Sequence, residues 1–168
     1  MVHPELRKKV VLLIEKCKEE GISIRVTSDV RDCNEQNTYY YGGTSNAFGS
    51  EYQSYHQWRL AFDVCIVSNT LEGCYDKELL MRVGEIGKSL GLEWGGDWKN
   101  FVDMPHFQLK DFGDNINYLK KLYGNPAVFA DTWTFNEESL RILEEELGVG
   151  LEELVKLDSI VLVADIIG

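Results

Sequence analysis

The amino-acid sequence predicts an α+β fold, in which a small antiparallel sheet is flanked by helices and followed by a short, mostly helical C-terminal appendage. The chain has 168 residues, of which 44% are hydrophobic, and this supplies enough apolar surface for one compact core. Helix-like and strand-like patterns follow one another in the order α, β, loop, β, α, β, β, with too few strand–helix–strand units for a doubly wound parallel sheet. The composition changes after Gly124, which divides the chain into a main domain, residues 1–124, and an appendage, residues 125–168.

The spacing of apolar residues places the first elements. After Pro4, apolar side chains recur every three or four residues up to Gly21, as in an amphipathic helix. Residues 22–27 alternate with period two and predict a half-buried strand. Residues 28–53 are rich in Asn, Gly, Ser and Tyr, and predict a long irregular segment with one short helix at 35–41. Loops of that length usually carry function.

The second half of the main domain predicts one helix and three strands. They are a central strand at 60–67, a helix at 76–90, and strands at 92–94 and 106–109. Gly91 ends the helix, and Gly95 with Gly96 predicts a turn between the last two strands.

Charge and cysteine content exclude several classes of protein. A net charge of −11 disfavours a sequence-independent grip on nucleic acid or on an anionic lipid surface. We expect no membrane span, since no window of about 18 apolar residues exists. We also expect no signal peptide, because charged residues interrupt the N-terminal segment from Glu5 onwards. Four cysteines without a CxxC pair predict reduced thiols rather than a disulfide framework.

The appendage is strongly acidic. Residues 131–168 hold ten acidic side chains against Arg141 and Lys156, a balance of −8. A capping box at 134–137 and a leucine stripe after it predict a short helix, and a second short helix is predicted at 151–157. We expect these two helices to pack on the main domain or on a second copy of the chain, with a recognition module as the alternative.

Two stretches carry the candidate chemistry. Two of the three histidines stand near carboxylates, in residues 54–63 (SYHQWRLAFD) and 94–107 (WGGDWKNFVDMPHF). Two imidazoles and one carboxylate form a normal ligand set for catalytic zinc, which keeps a fourth position open. Spacing alone is a weak signal, because such residues are more often ordinary hydrogen-bonded polar groups.

The two stretches together resemble a known peptidase family. The pattern SxHxxxxAxD, followed some forty residues later by WGGDWxxFxDxPHF, is similar to the zinc-dependent peptidases that include L-alanyl-D-glutamate endopeptidases of phages and bacteria. Their relatives are D-Ala-D-Ala carboxypeptidases and dipeptidases. His3-Pro4, the strand at 22–27 and Arg31 followed by Glu35-Gln36 agree in order and spacing. The resemblance covers residues 2–124.

This resemblance implies a metal site and a catalytic group. It makes His56, Asp63 and His106 the ligands of one Zn²⁺ per chain, and Asp103 the general base. A carboxylate within hydrogen-bond reach can take a proton from water and return it to the leaving amine. Arg31 would stabilise the substrate carbonyl, and its alternative is a surface ion pair with a neighbour such as Glu35.

Other residues are candidates for substrate contact or support. The resemblance makes Ser54 a supporting serine of the substrate cleft, and Trp98 is either a wall of that cleft or, as is more common for an aromatic residue near a strand, part of the core. Asp97 is a candidate to orient a ligand imidazole, and its alternative is to cap a turn. Glu93 is a second candidate for the same role, and its alternative is to face solvent. One departure stands at Arg59, where the family has a glycine; we expect an ordinary backbone angle there or a reshaped cleft rim.

The resemblance therefore implies a zinc-dependent peptidoglycan peptidase that hydrolyses the L-Ala–D-Glu bond of the stem peptide. The alternatives are a D-Ala-D-Ala carboxypeptidase or dipeptidase with the same zinc site, and a non-catalytic wall-binding domain on the same scaffold. The expected partner is bacterial peptidoglycan, with self-association through the appendage. An enzyme of this kind without a signal peptide is expected in the host cytoplasm and reaches the wall after release through a holin-type pore.

Overall fold

The computed structural model describes residues 2–110 and 115–133 of the chain. The helices are α1 (Pro4–Glu19), α2 (Cys33–Tyr41), α3 (Leu71–Cys74), α4 (Lys77–Ser89), α5 (Ile116–Tyr123) and α6 (Pro126–Ala130). The strands are β1 (Ile24–Ser28), β2 (Ala61–Ile66), β3 (Glu93–Trp94) and β4 (His106–Gln108). The predicted α+β class is confirmed, and the helices predicted beyond residue 133 lie outside the described residues.

The four strands form one antiparallel sheet in the order β1-β2-β4-β3. In the register, Asp63 of β2 lies opposite His106 of β4, and Glu93 of β3 lies opposite Gln108 of β4. Because side chains alternate between the faces of a sheet, His106 and Gln108 share one face. The sheet thus brings polar side chains from three strands together on that face.

The other face of the sheet forms the core. Phe62 of β2 and Phe107 of β4 stack with ring centroids 5.5 Å apart, and both are buried. Helix α4 packs closely here, since a Cβ on Gly87 would lie 2.4 Å from the Phe107 ring. Helix α1 covers the same core with Leu6 and Leu13, which are fully buried.

Local signals explain where the first helix begins. The His3 side chain accepts a hydrogen bond from the Glu5 backbone N–H over 3.3 Å, and Pro4 stands at the first helical position, where its missing N–H costs nothing. His3 therefore caps the start of α1.

The turn predicted at Gly95-Gly96 has more structure than expected. A short 3₁₀ helix, Gly95–Asp97, follows β3 directly, and residues 98–105 then lead to β4. This longer connection carries Trp98 and Asp103 to the polar face of the sheet.

Helix α6 joins the core of the described part. Its Phe129 is 1% exposed and packs on Trp58, Tyr123 and His3, with ring centroids 5.1 to 6.0 Å away. The first residues after the boundary predicted at 124 therefore contribute to the core, and the division into 1–124 and 125–168 stays a prediction. Among the helices of the described ranges, none is both long and apolar enough to cross a membrane.

Candidate functional site

Three side chains on the polar face form a possible metal centre. One ligand atom each from His56, Asp63 and His106 lies within 4.8 Å of the other two. Asp63 Oδ1 lies 3.2 Å from His56 Nε2 and 3.0 Å from His106 Nδ1, and the two ring nitrogens are 3.2 Å apart. His56 comes from the turn before β2, and the other two residues face each other across β2 and β4.

The chemistry of these donors fits a cation. The Nδ1 atom of His56 lies 2.5 Å from the backbone carbonyl oxygen of Asp29; since a carbonyl only accepts, Nδ1 carries the proton and the Nε2 lone pair faces the centre. His106 Nδ1 and a carboxylate oxygen face the same point. Three lone pairs that converge this closely need a positive charge between them, and two imidazoles with one carboxylate are a ligand set that zinc accepts.

The same crowding shifts the pKa values of the three groups. Burial lowers the pKa of His56. Burial acts to raise the pKa of Asp63, but the two adjacent imidazoles outweigh it and hold this pKa well below its usual range. Burial acts to lower the pKa of His106, but the hydrogen bond with Asp63 prevails and raises it. Without a metal, His106 is thus the imidazole that most readily holds the compensating proton.

Arg31 is anchored on three sides beside this centre. Its guanidinium contacts Asp63 Oδ2 through Nη2, donates from Nε to Ser28 Oγ over 2.8 Å, and donates from Nη1 to Gln36 Oε1 over 3.3 Å. The ring of Tyr39 lies 4.3 Å from its central carbon. The carboxylate that Arg31 contacts is therefore the proposed metal ligand Asp63, a pairing that the sequence did not indicate, and not Glu35, the partner named in the alternative.

A cleft of about 690 Å³ opens over the centre. All seven predicted site residues line it: Arg31, Ser54, His56, Asp63, Trp98, Asp103 and His106. The structure thus brings the predicted set together, and the role of each residue stays a prediction.

Backbone contacts hold Asp103 at the cleft. Its N–H donates to the Gly95 carbonyl over 3.0 Å, and its own carbonyl accepts from the His106 N–H over 3.2 Å. A Cβ on Gly95 would lie 2.4 Å from that Asp103 oxygen, so this close approach requires glycine. Burial, and after it the negative charge of Asp63, raises the pKa of Asp103. A carboxylate so tuned is suited to proton transfer.

Ser54 and Trp98 also contact the framework of the site. The Oγ of Ser54, which is 7% exposed, accepts from the His56 backbone N–H over 3.3 Å. The Trp98 ring centroid lies 5.0 Å from that of His106, and its indole N–H donates to Glu93 over 2.8 Å. Each therefore supports a proposed metal ligand while lining the cleft.

The two candidates for orienting an imidazole, Asp97 and Glu93, differ in whether they are connected to the centre. Asp97 pairs with Lys88 over 3.0 Å and its side chain is 55% exposed, and it makes no hydrogen bond or ion pair with the described residues of the centre. Glu93 contacts Gln108, which in turn contacts His106. Sequence reasoning missed Gln108, although its position two residues after His106 on a predicted strand places both on one face.

Arg59 keeps a glycine-like backbone. Its φ is +63°, in the left-handed region where side chains other than glycine are strained by about 1–2 kcal/mol. The expectation of an ordinary backbone angle is wrong. The carbonyl of Arg59 accepts from the His3 N–H over 2.9 Å, and its N–H donates to the His56 carbonyl over 3.1 Å; the turn that carries His56 thus retains the left-handed geometry despite the side chain.

Comparisons with known proteins point to one family. A family profile described as D-alanyl-D-alanine carboxypeptidase matches residues 48–109. The chain is 30% identical over 122 residues to the peptidoglycan L-alanyl-D-glutamate endopeptidase CwlK of Bacillus subtilis (strain 168), covering 64% of this chain and 73% of that protein. It is 33% identical over 98 residues to the L-alanyl-D-glutamate peptidase of Listeria phage A118, covering 57% of this chain and 34% of that protein.

A comparison with solved structures gives a match of the same kind. The L-Ala D-Glu endopeptidase ChiX of Serratia marcescens matches with a TM-score of 0.51 and 25% identity, over 64% of this chain and 80% of that one.

Proposed function

Because the chain belongs to the peptidase family of the D-alanyl-D-alanine carboxypeptidases and L-alanyl-D-glutamate endopeptidases, we propose that it is a zinc-dependent peptidoglycan peptidase that hydrolyses the L-Ala–D-Glu bond of the stem peptide. One observation carries the proposal: three converging ligand atoms, from His56, Asp63 and His106, share one cleft with the carboxylate of Asp103. The names of the relatives support the choice of bond.

In this proposal each residue of the centre has one task. His56 Nε2, His106 Nδ1 and a carboxylate oxygen of Asp63 would hold the zinc ion. Zinc with an open coordination position supplies Lewis-acid chemistry, which polarises a carbonyl and acidifies water. Arg31 fixes Asp63 by contacting its second oxygen, and its permanent positive charge at the cleft stabilises negative charge on the substrate carbonyl oxygen.

Asp103 moves the protons of the reaction. Its carboxylate accepts a proton from the attacking water and then donates that proton to the leaving amine nitrogen. The raised pKa of Asp103 favours the first transfer, since a more basic carboxylate accepts a proton from water more readily. Ser54 and Trp98 line the cleft and are the proposed substrate contacts.

Analysis of the products from purified peptidoglycan tests this proposal. Mass spectrometry after labelling of new amino termini should find D-Glu, and the zinc-free protein should release nothing. A second candidate is a D-Ala-D-Ala carboxypeptidase, which the description of the matching family profile favours. Free D-Ala or the D-Ala-D-Ala dipeptide as the main product would support this second function and contradict the first.

The cellular setting is part of the same proposal. A peptidase made in the host cytoplasm would reach the wall after holin-type release, and the similarity to a phage peptidase supports this order of events. Self-association through the acidic appendage is a separate prediction, which light scattering of the full chain checks directly.

A further inference from the structure

The two proposed histidine ligands are held in different ways. His56 donates its Nδ1 proton to a backbone carbonyl, which can only accept, so that contact alone fixes the ring proton. His106 presents Nδ1 to the centre, and its Nε2 lies 3.0 Å from Oε1 of Gln108. A glutamine amide has an accepting oxygen at one corner and a donating nitrogen at the other, so Gln108 by itself does not fix where the His106 ring carries its proton.

The orientation of the Gln108 amide is decided by Glu93. Gln108 Nε2 donates to Glu93 Oε2 over 2.8 Å, and an ionised carboxylate only accepts. The amide nitrogen of Gln108 must therefore face Glu93, which leaves its oxygen facing His106. The register of the sheet builds this contact, since Glu93 lies directly opposite Gln108, and Gln108 is 5% exposed, which limits competition from water.

Glu93 is itself fixed and kept ionised. Its Oε1 accepts from the Trp98 indole N–H over 2.8 Å, and its Oε2 lies 3.0 Å from Lys110 Nζ. Burial acts to raise the pKa of Glu93, but hydrogen bonds from Trp98, Lys110 and Gln108 outweigh burial and lower it. The carboxylate therefore remains an obligate acceptor in the neutral pH range.

We propose that Glu93 is a positioning residue of the metal centre: through Gln108 it keeps the ring proton of His106 on Nε2 and so leaves Nδ1 available as a ligand atom. This inference rests on the proposed zinc site. It assigns the centre a hydrogen-bonded support from β3, in addition to the two strands, β2 and β4, and the two connecting segments that carry the ligands and Arg31. A surface ion pair between Glu93 and Lys110 would have no such effect on His106.

A pair of substitutions separates these roles. Glu93→Gln makes residue 93 able to donate as well as accept, so the Gln108 amide loses its fixed orientation. The swap Glu93→Gln with Gln108→Glu restores a fixed acceptor for His106 Nε2, because a carboxylate at position 108 accepts from both His106 Nε2 and the amide at position 93. Glu85→Gln is the matched control, since Glu85 is 60% exposed and pairs with Lys88 on α4.

Zinc affinity is measured by competition with a chelator, on full-length proteins whose folding is checked by circular dichroism. Glu93→Gln should weaken zinc binding by about 10- to 100-fold, the loss typical when a hydrogen-bond partner of a ligand is removed. The swap should recover most of that loss, and Glu85→Gln should bind as the wild type does. Unchanged affinity in folded Glu93→Gln, or a swap that binds no better than Glu93→Gln, would overturn the inference.

The ring proton of His106 is read independently by nuclear magnetic resonance of ¹⁵N-labelled histidine at neutral pH. In the wild type, with or without zinc, His106 should carry a slowly exchanging proton on Nε2, and in Glu93→Gln this proton should exchange faster. A wild-type His106 without a proton on Nε2 would overturn the inference even if Glu93→Gln fails to fold. Failure of the wild type to bind zinc would instead contradict the proposed function, and the proton position would still be measured.

Discussion

The two faces of the sheet have different roles: one forms the core and the other lines the cleft. Neighbouring residues of one strand lie on opposite faces. On β4, Phe107 stacks on Phe62 in the core, whereas the adjacent His106 faces Asp63 in the cleft. On β2, Phe62 and Asp63 alternate in the same way. Since one residue step separates core from cleft, stability and chemistry should respond independently to substitutions at adjacent positions.

The largest effect is expected on the cleft face. His106→Ala removes one of three proposed ligands, so zinc content should fall to background and hydrolysis of stem peptides should be undetectable. The circular dichroism spectrum should remain native, because the core face of β4 is unchanged. Metal analysis and an activity assay check this, and a zinc-bound, active His106→Ala protein would contradict the assignment of the ligands.

Substitution of the next residue, Phe107, should have the opposite effect: it should lower stability and not remove a zinc ligand. Phe107 is fully buried, and Phe107→Ala should lower the free energy of unfolding by about 3–5 kcal/mol through lost contacts and a cavity. Phe107→Leu should lose less, because it retains most of the volume. Urea unfolding of the zinc-free proteins measures both; a loss below about 1 kcal/mol for Phe107→Ala would show that the two faces are not separated as described.

A smaller effect on rate is expected at Asp103, which lies in the cleft but outside the ligand set. Asp103→Asn should retain zinc and lower kcat by about 100-fold or more, while Asp97→Asn at the exposed pair with Lys88 should leave kcat unchanged. The carboxylate must be deprotonated to act, so kcat/KM of the wild type should fall as the pH drops through the pKa of Asp103. In the metal-free protein, burial and the charge of Asp63 raise that pKa, whereas the positive charge of a bound zinc ion acts to lower it. A wild-type rate in Asp103→Asn would place the base elsewhere.

The smallest effect is expected away from both faces, in the turn before β2. Arg59 has a φ of +63°, and Arg59→Gly relieves this strain while adding flexibility to the unfolded chain. The two terms partly cancel, so the free energy of unfolding should rise by at most about 1 kcal/mol. Zinc affinity should not change. A clear loss of stability on thermal unfolding would show that contacts of the arginine side chain outweigh the backbone strain.

Much of the fold could be predicted because the longer elements bury one continuous stripe of apolar residues. Helices α1 and α4 and strand β2 follow such stripes closely. Helix α3 has four residues, too few for any period to show. Helix α5 was missed although its signals are present, since Asn115 caps its start and Gly124 ends it with a φ of +76°.

For the site, the residues inside the family pattern could be predicted from the sequence, but the contacts between distant residues could not. The family pattern located His56, Asp63, His106 and Asp103, because each stands inside a dense motif. The contact of Arg31 with Asp63 joins residues 32 positions apart in the sequence and depends on how the loop after β1 lies over β2. The support of His106 by Gln108 depends on the register of β3 and β4, which two short strands do not reveal in the sequence.

Titration of zinc into the metal-free protein, with hydrolysis of a stem peptide followed at each step, tests the central claim most directly. The account predicts that the product with an amino-terminal D-Glu appears only as zinc is added and that its rate of formation saturates at about one zinc per chain. Full hydrolysis in the presence of excess chelator, with no zinc in the protein, would contradict it.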